Sequence, residues 1–93
     1  MANDELKSEI KRLIVDSLRL KDVDPQSIAD DAPLFGGPPL GLDSVDSLEI
    51  IVALQRRYGV RVDNQNLARV VLQSVSSIAD FVVKETARTA VPA

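Results

Sequence analysis

The sequence predicts an all-α fold: a small four-helix bundle of three longer helices and one short helix, with a long structured first loop. Apolar residues recur at the three- and four-residue spacing of a half-buried helix in separate stretches of the chain. Those stretches are bounded by capping residues or by Gly and Pro. Length sets the scale, since 93 residues, 45% hydrophobic and 27% charged, make one domain. That domain is expected to span 1–93, with 87–93 as a disordered tail. A chain this small buries only about 60 to 65% of its unfolded surface, so a few elements must share one core.

The first helix is expected from Asn3 to Leu20, where Leu6, Ile10, Leu13, Ile14 and Leu18 fall on one face. Asn3 is its candidate cap, with Asp4 and Glu5 in the first turn and Arg19 and Lys21 near the end, as the helix dipole favours. From Lys21 to Asp43 the helical period stops for 23 residues, punctuated by Pro25, Pro33, Pro38 and Pro39 and by Gly36, Gly37 and Gly41. A connection that long in a compact domain needs anchoring, which Leu34, Phe35 and Leu40 can supply. A second helix is signalled from Ser44 to Tyr58, with Ser44 as cap, Asp46 in the first turn and Gly59 as the left-handed C-terminal residue. Val60-Arg61-Val62 reads as extended and Asp63 as the cap of a short helix through about Val70. Ser74 reads as the cap of a last helix carrying Val75, Ile78, Phe81 and Val82, which frays from Thr86 onward.

Composition excludes much. Without cysteine or histidine there is no disulfide scaffold, zinc finger, Cys-His pair or Ser-His-Asp triad. No apolar run approaches the roughly 20 residues of a membrane helix, so no membrane insertion is expected. The acidic start Met1-Ala2-Asn3-Asp4-Glu5 is unlike a signal peptide, which makes the cytoplasm the expected location. A net charge of -3 argues against nucleic acid as a partner. The charge is also segregated: seven acids and no Lys or Arg lie between Asp22 and Glu49, whereas Arg56, Arg57, Arg61 and Arg69 face Asp63 alone from Ile50 to Ile78.

The second helix carries two apolar stripes. At about 100° per residue, Ile50, Ile51, Leu54 and Tyr58 share one face, and Val45, Leu48 and Val52 lie nearly opposite. Glu49 and Arg56 project from the second stripe, and unpaired charges are rarely buried. The first stripe is therefore expected in the core and the second on the surface, offered to a partner.

The segment Leu40-Gly41-Leu42-Asp43-Ser44-Val45-Asp46-Ser47-Leu48-Glu49-Ile50 resembles the attachment motif of acyl carrier proteins, commonly Leu-Gly-x-Asp-Ser-Leu-Asp/Glu-x-x-Glu. The resemblance covers nearly the whole chain, from the amphipathic first helix to Ile78-Ala79-Asp80-Phe81-Val82 in the last. It implies a carrier rather than an enzyme. Ser44 would receive 4'-phosphopantetheine from coenzyme A through a phosphopantetheinyl transferase, and acyl groups of fatty-acid or polyketide type would ride on the arm as thioesters. Asp43, Val45, Asp46, Leu48, Glu49, Val52 and Arg56 would form the partner surface, met by acyl transferase, ketosynthase or acyl-carrier synthetase enzymes. Ile50, Ile51, Leu54, Val62 and Phe81 would shelter the acyl chain, and the carrier would act as a monomer. Independently of the family, a serine hydroxyl at a helix start lies near unpaired backbone N–H groups and the positive dipole end, where a phosphate ester is favoured.

The chain departs from carriers of housekeeping fatty acid synthesis where it has Gln55, Arg56, Arg57 and Arg61, then Asn64, Gln65 and Asn66, in place of strong acidity. Its loop through Gly36-Gly37-Pro38-Pro39 is also richer in Gly and Pro. These departures imply a specialised carrier with dedicated clients in a lipid, polyketide or polyene-like pathway. A serine enzyme fails for want of a base beside Ser44. A phosphate loop fails because Leu42-Asp43 stands where Gly-Lys is needed, and a calcium loop fails because Ser27 and Pro33 occupy its Gly and Glu positions. A peptidyl carrier and an unmodified helical interaction module are the readings that compete with the acyl carrier.

Overall fold

The computed structural model describes residues 3–35 and 41–89 of the chain. Its helices are α1 (Asn3–Leu18), α2 (Ser44–Tyr58), α3 (Gln65–Val71) and α4 (Val75–Thr89). No strand occurs among the described residues, only an isolated parallel bridge between Phe35 and Leu42. The expected three longer helices and one short one are therefore present. No single helix among the described residues is long and apolar enough to cross a membrane.

The core follows from the helical periodicity. Ile10 and Ile14 of α1, Ile50 and Leu54 of α2, and Val75, Ile78, Ala79 and Val82 of α4 are buried together. Ile28, Leu34, Leu42, Val60, Val71 and Leu72 complete this core. Helix α1 packs on both α2 and α4, while the short α3 packs on α4. Burial of so many side chains at well under a tenth exposure supplies the apolar contribution that a chain this small depends on.

Several helix ends differ from expectation for local reasons. Helix α1 stops at Leu18, because Arg19 takes the left-handed backbone conformation (φ 55°) and the Leu20 N–H donates to the Val15 carbonyl at 3.0 Å. Asn64, not Asp63, caps α3: its side-chain oxygen accepts from the Leu67 N–H at 2.7 Å, while Asp63 turns to Arg61 at 3.6 Å. Gly59 ends α2 in the left-handed region (φ 71°), and Ser74 Oγ accepts from the Ser77 N–H at 3.2 Å at the start of α4, both as expected. Helix α4 continues through Thr89, so 87–89 are helical where a disordered tail was expected to begin. The cap expected from the Asn3 side chain, the Leu40 anchor and residues 90–93 of the expected tail lie outside what is described.

The long connection is held at three points. Asp24 accepts from the Gln26 N–H at 2.9 Å and starts a 3-10 turn at Pro25–Ser27 that the sequence did not signal. Asp30 is bound on both its side chain and its backbone. Lys11 reaches its carboxylate at 2.7 Å and Lys7 at 3.8 Å, and its carbonyl accepts from the Ser76 N–H at 2.9 Å. The Lys11 hydrogen bond, aided by both lysine charges, outweighs burial and holds this carboxyl below its ordinary pKa. Leu34, fully buried, donates its N–H to the Gln73 carbonyl at 3.1 Å and accepts from the Leu42 N–H at 3.0 Å. The backbone entering α2 is thus tied to the corner between α3 and α4.

Candidate functional site

Asp43 builds the head of α2. Its Oδ1 accepts from the Val45 and Asp46 N–H groups at 3.0 and 3.1 Å, and its own N–H donates to Asp46 Oδ2 at 3.0 Å. This capping box places Ser44 in the first helical position, so Ser44 is not the cap expected from sequence. Asp wins the role because its carboxylate reaches two N–H groups and its charge complements the dipole. Ser44 is consequently relieved of structural duty. It is exposed, and its hydroxyl makes no hydrogen bond among the described residues.

The same geometry corrects the electrostatic argument for a phosphate ester at Ser44. Two of the N–H groups expected to be unpaired, those of Val45 and Asp46, donate to Asp43, and Asp43 and Asp46 carboxylates flank the serine in sequence. A phosphoryl group on Ser44 Oγ would meet like charge on the protein side. An anionic ester on Ser44 would therefore be turned outward rather than cradled, at a backbone position fixed by the cap.

Ser44 opens onto a groove of about 980 Å³. It is the gap between α2, which packs on α1, and α3, which packs on α4. Ile51 and Val62, both expected to shelter a chain, lie on its wall. The other three expected residues do not: Ile50 and Leu54 are fully buried in the central core, and Phe81 packs against that core from α4. Ile50 and Leu54 share the apolar stripe of α2 with Ile51, but both belong to the buried core, and Phe81 lies on α4 against that core. Residues not expected there, Phe35, Leu42, Ala68, Arg69 and Leu72, complete the wall. The signal for part of this set was present, since Gln65, Ala68, Arg69 and Leu72 stand at the i, i+3, i+4, i+7 spacing of one helix face.

The expected partner stripe is exposed as predicted, with Val45 at 66%, Leu48 at 63% and Val52 at 48%. It spans two grooves. Val45 and Leu48 border the one holding Ser44, whereas Glu49, Val52 and Arg56 border a second between α1 and α2, opposite Arg12 and Asp16. Arg57, on the same second groove, pairs with Glu9 at 3.4 Å, and Glu9 also accepts from the Tyr58 hydroxyl at 3.1 Å. Burial first, then the Glu9 contact, pushes the Tyr58 hydroxyl up to about 12.

Comparison with known proteins covers nearly the whole chain. Residues 8–82 match the phosphopantetheine attachment site family. The chain is also 29% identical over 87 residues to the acyl carrier protein of Thermosynechococcus vestitus, covering 94% of this chain and 99% of that protein. It is 26% identical over 84 residues to the acyl carrier protein of Thermotoga maritima, covering 90% and 95% respectively. The acyl carrier protein of Akkermansia muciniphila is 25% identical over 84 residues, with 90% and 96% covered. The family match takes in the Asp43 capping box, Ser44 and both walls of the groove beside it, and the chain belongs to the phosphopantetheine-attachment family of acyl carrier proteins.

Proposed function

We propose that Ser44 is the residue through which this carrier holds its 4'-phosphopantetheine. The family supplies the cofactor, and acyl groups ride on it as thioesters, so the chain is a carrier and not an enzyme. The carrying observation is the division of labour at the head of α2. Asp43 and Asp46 cap the helix, leaving the Ser44 hydroxyl exposed and uncommitted at the mouth of a groove. The residues present fit a phosphodiester that is anchored at Ser44 Oγ and held clear of the capped head of α2. The arm brings a terminal thiol, which the cysteine-free chain does not possess.

As a family member the chain meets modifying and acyl-processing enzymes. A phosphopantetheinyl transferase is the first, and acyl transferases, ketosynthases or acyl-carrier synthetases follow. Asp43, Asp46 and Glu49 steer basic surfaces toward Ser44, with Val45 and Leu48 as the apolar centre of that contact and Val52 and Arg56 extending it along α2. Ile51 and Val62 support acyl shelter in the groove. The exposed Arg56, in place of an acid, supports a specialised member with dedicated clients. It is the one arginine of the reversed-charge set Arg56, Arg57 and Arg61 with no carboxylate in ion-pair range among the described residues. We place the carrier in the cytoplasm as a monomer.

Intact mass after incubation with coenzyme A and a phosphopantetheinyl transferase tests the assignment. Wild type gains one phosphopantetheine group and Ser44→Ala gains none. Loading of the Ala variant would move the site elsewhere.

A further inference from the structure

Arg69 is the only cation among the groove's lining residues, and no carboxylate lies within ion-pair distance of it among the described residues. Three acids share the groove with it. Asp43 is engaged by the N–H groups of α2, Asp63 is paired with Arg61, and Asp31 lines the same groove without forming an ion pair with Arg69. Arg69 sits one residue after Ala68 and three before Leu72, so a guanidinium with five donors is carried on the helix that forms the groove's apolar wall. A groove built only for saturated chains gains nothing from such a group. A planar fork of donors beside apolar walls suits a chain that carries an oxyanion.

We propose that Arg69 is a specificity-determining residue that binds an anionic oxygen group carried on the arm, either the arm's phosphodiester or a carboxylate at the end of a dicarboxylic half-thioester cargo. The inference rests on the assignment of Ser44 as the attachment residue. The apolar side chains of Ile51, Val62, Ala68 and Leu72 take the methylene portion, and Arg69 takes the charge. With Asp43 and Asp46 turning the phosphodiester away from the head of α2, Arg69 is the positive group in the groove toward which an anion on the arm can turn.

The test uses isotope-labelled full-length chain in three states, each first verified by intact mass at Ser44: apo, holo, and holo loaded with either octanoyl or malonyl groups. Failure to gain mass on the wild type, or gain on Ser44→Ala, would refute the attachment site and is read before any Arg69 measurement. The Arg69 side-chain Nε–Hε resonance and the α3 amides are then followed by NMR, with the phosphorus resonance of the arm. If the phosphodiester is the ligand, these signals shift between apo and holo, and the phosphorus shift is lost in Arg69→Gln. If the cargo carboxylate is the ligand, they shift on malonyl but not octanoyl loading, and that difference is lost in Arg69→Gln. Arg69→Lys keeps the charge without the fork and retains only part of the effect in either case. Equal shifts for malonyl and octanoyl chains, together with a phosphorus resonance indifferent to Arg69→Gln, would overturn the proposal. Arg69 is exposed, so its variants leave the core untouched.

Discussion

The two apolar faces of α2 are made of the same kinds of residue and meet opposite fates. Ile50 and Leu54 have no exposure, while Val45 and Leu48, on the other side of the same helix, are about two-thirds exposed. Hydrophobicity alone cannot tell them apart. Neighbouring charge does, because Glu49 and Arg56 stand within the second stripe and none stands among Ile50, Ile51 and Leu54. An apolar patch kept on the surface of a small chain is a candidate contact surface, and here it borders Ser44, the proposed attachment residue.

The largest break in that comparison comes from truncating each face. Leu54→Ala leaves a cavity in the core and is expected to cost about 2 to 5 kcal/mol, whereas Leu48→Ala stays within about 0.5 kcal/mol for folding and reduces turnover by partner enzymes. Urea and thermal denaturation of the two variants check this, and equal destabilisation would mean that both faces are buried.

A second contrast separates the two residues at the helix head. Asp43→Ala removes the cap and is expected to lower stability by about 0.5 to 2 kcal/mol. Ser44→Ala at the first helical position changes stability little and abolishes loading, since its hydroxyl holds nothing in the fold. Denaturation midpoints and intact mass, measured on both variants, show whether structure and attachment are divided as the geometry says.

The loop that brings Leu42 and Asp43 into place depends on Asp30, whose carboxyl is held below its ordinary value chiefly by the Lys11 hydrogen bond. A lowered folded-state pKa means that this contribution is present above the unfolded value of about 3.9 and fades as pH falls through the lower folded value. Asp30→Asn is therefore less stable than wild type at neutral pH, and the gap closes in strong acid. A gap that is constant with pH would show that the two lysines do not act on this carboxylate.

The smallest expected effect sharpens the surface face. Arg56 has no carboxylate in ion-pair range among the described residues, and Arg57 is paired with Glu9. Arg56→Glu is expected to improve the holo protein as substrate for a housekeeping malonyl transferase at low salt, by an amount that shrinks at moderate salt. Arg57→Glu is expected to do less for docking and to weaken the contact between α1 and α2. If both variants match wild type at both salt levels, charge on α2 does not select the clients.

Much of this architecture was legible in the chain. The periodic placement of Ile10, Ile14, Ile50, Leu54, Ile78 and Val82 determined the helices and their buried sides, since burying a stripe is the only way so small a chain gains enough apolar contact. Gly59 determined where α2 ends, and the family that the segment around Asp43-Ser44 resembles is the one that residues 8–82 match. Sequence did not decide which of two adjacent polar residues caps each helix, because Asp43, Ser44, Asp63 and Asn64 are all competent and the outcome depends on which side chain reaches the free N–H groups. Nor did it decide the groove. A helix face records that a residue is turned from water, but not which neighbour it meets. Only the packing of α2 on α1 and of α3 on α4 leaves the gap lined by Ile51 from α2, Val62 from the connection and Arg69 from α3, while Ile50, Leu54 and Phe81 belong to the core.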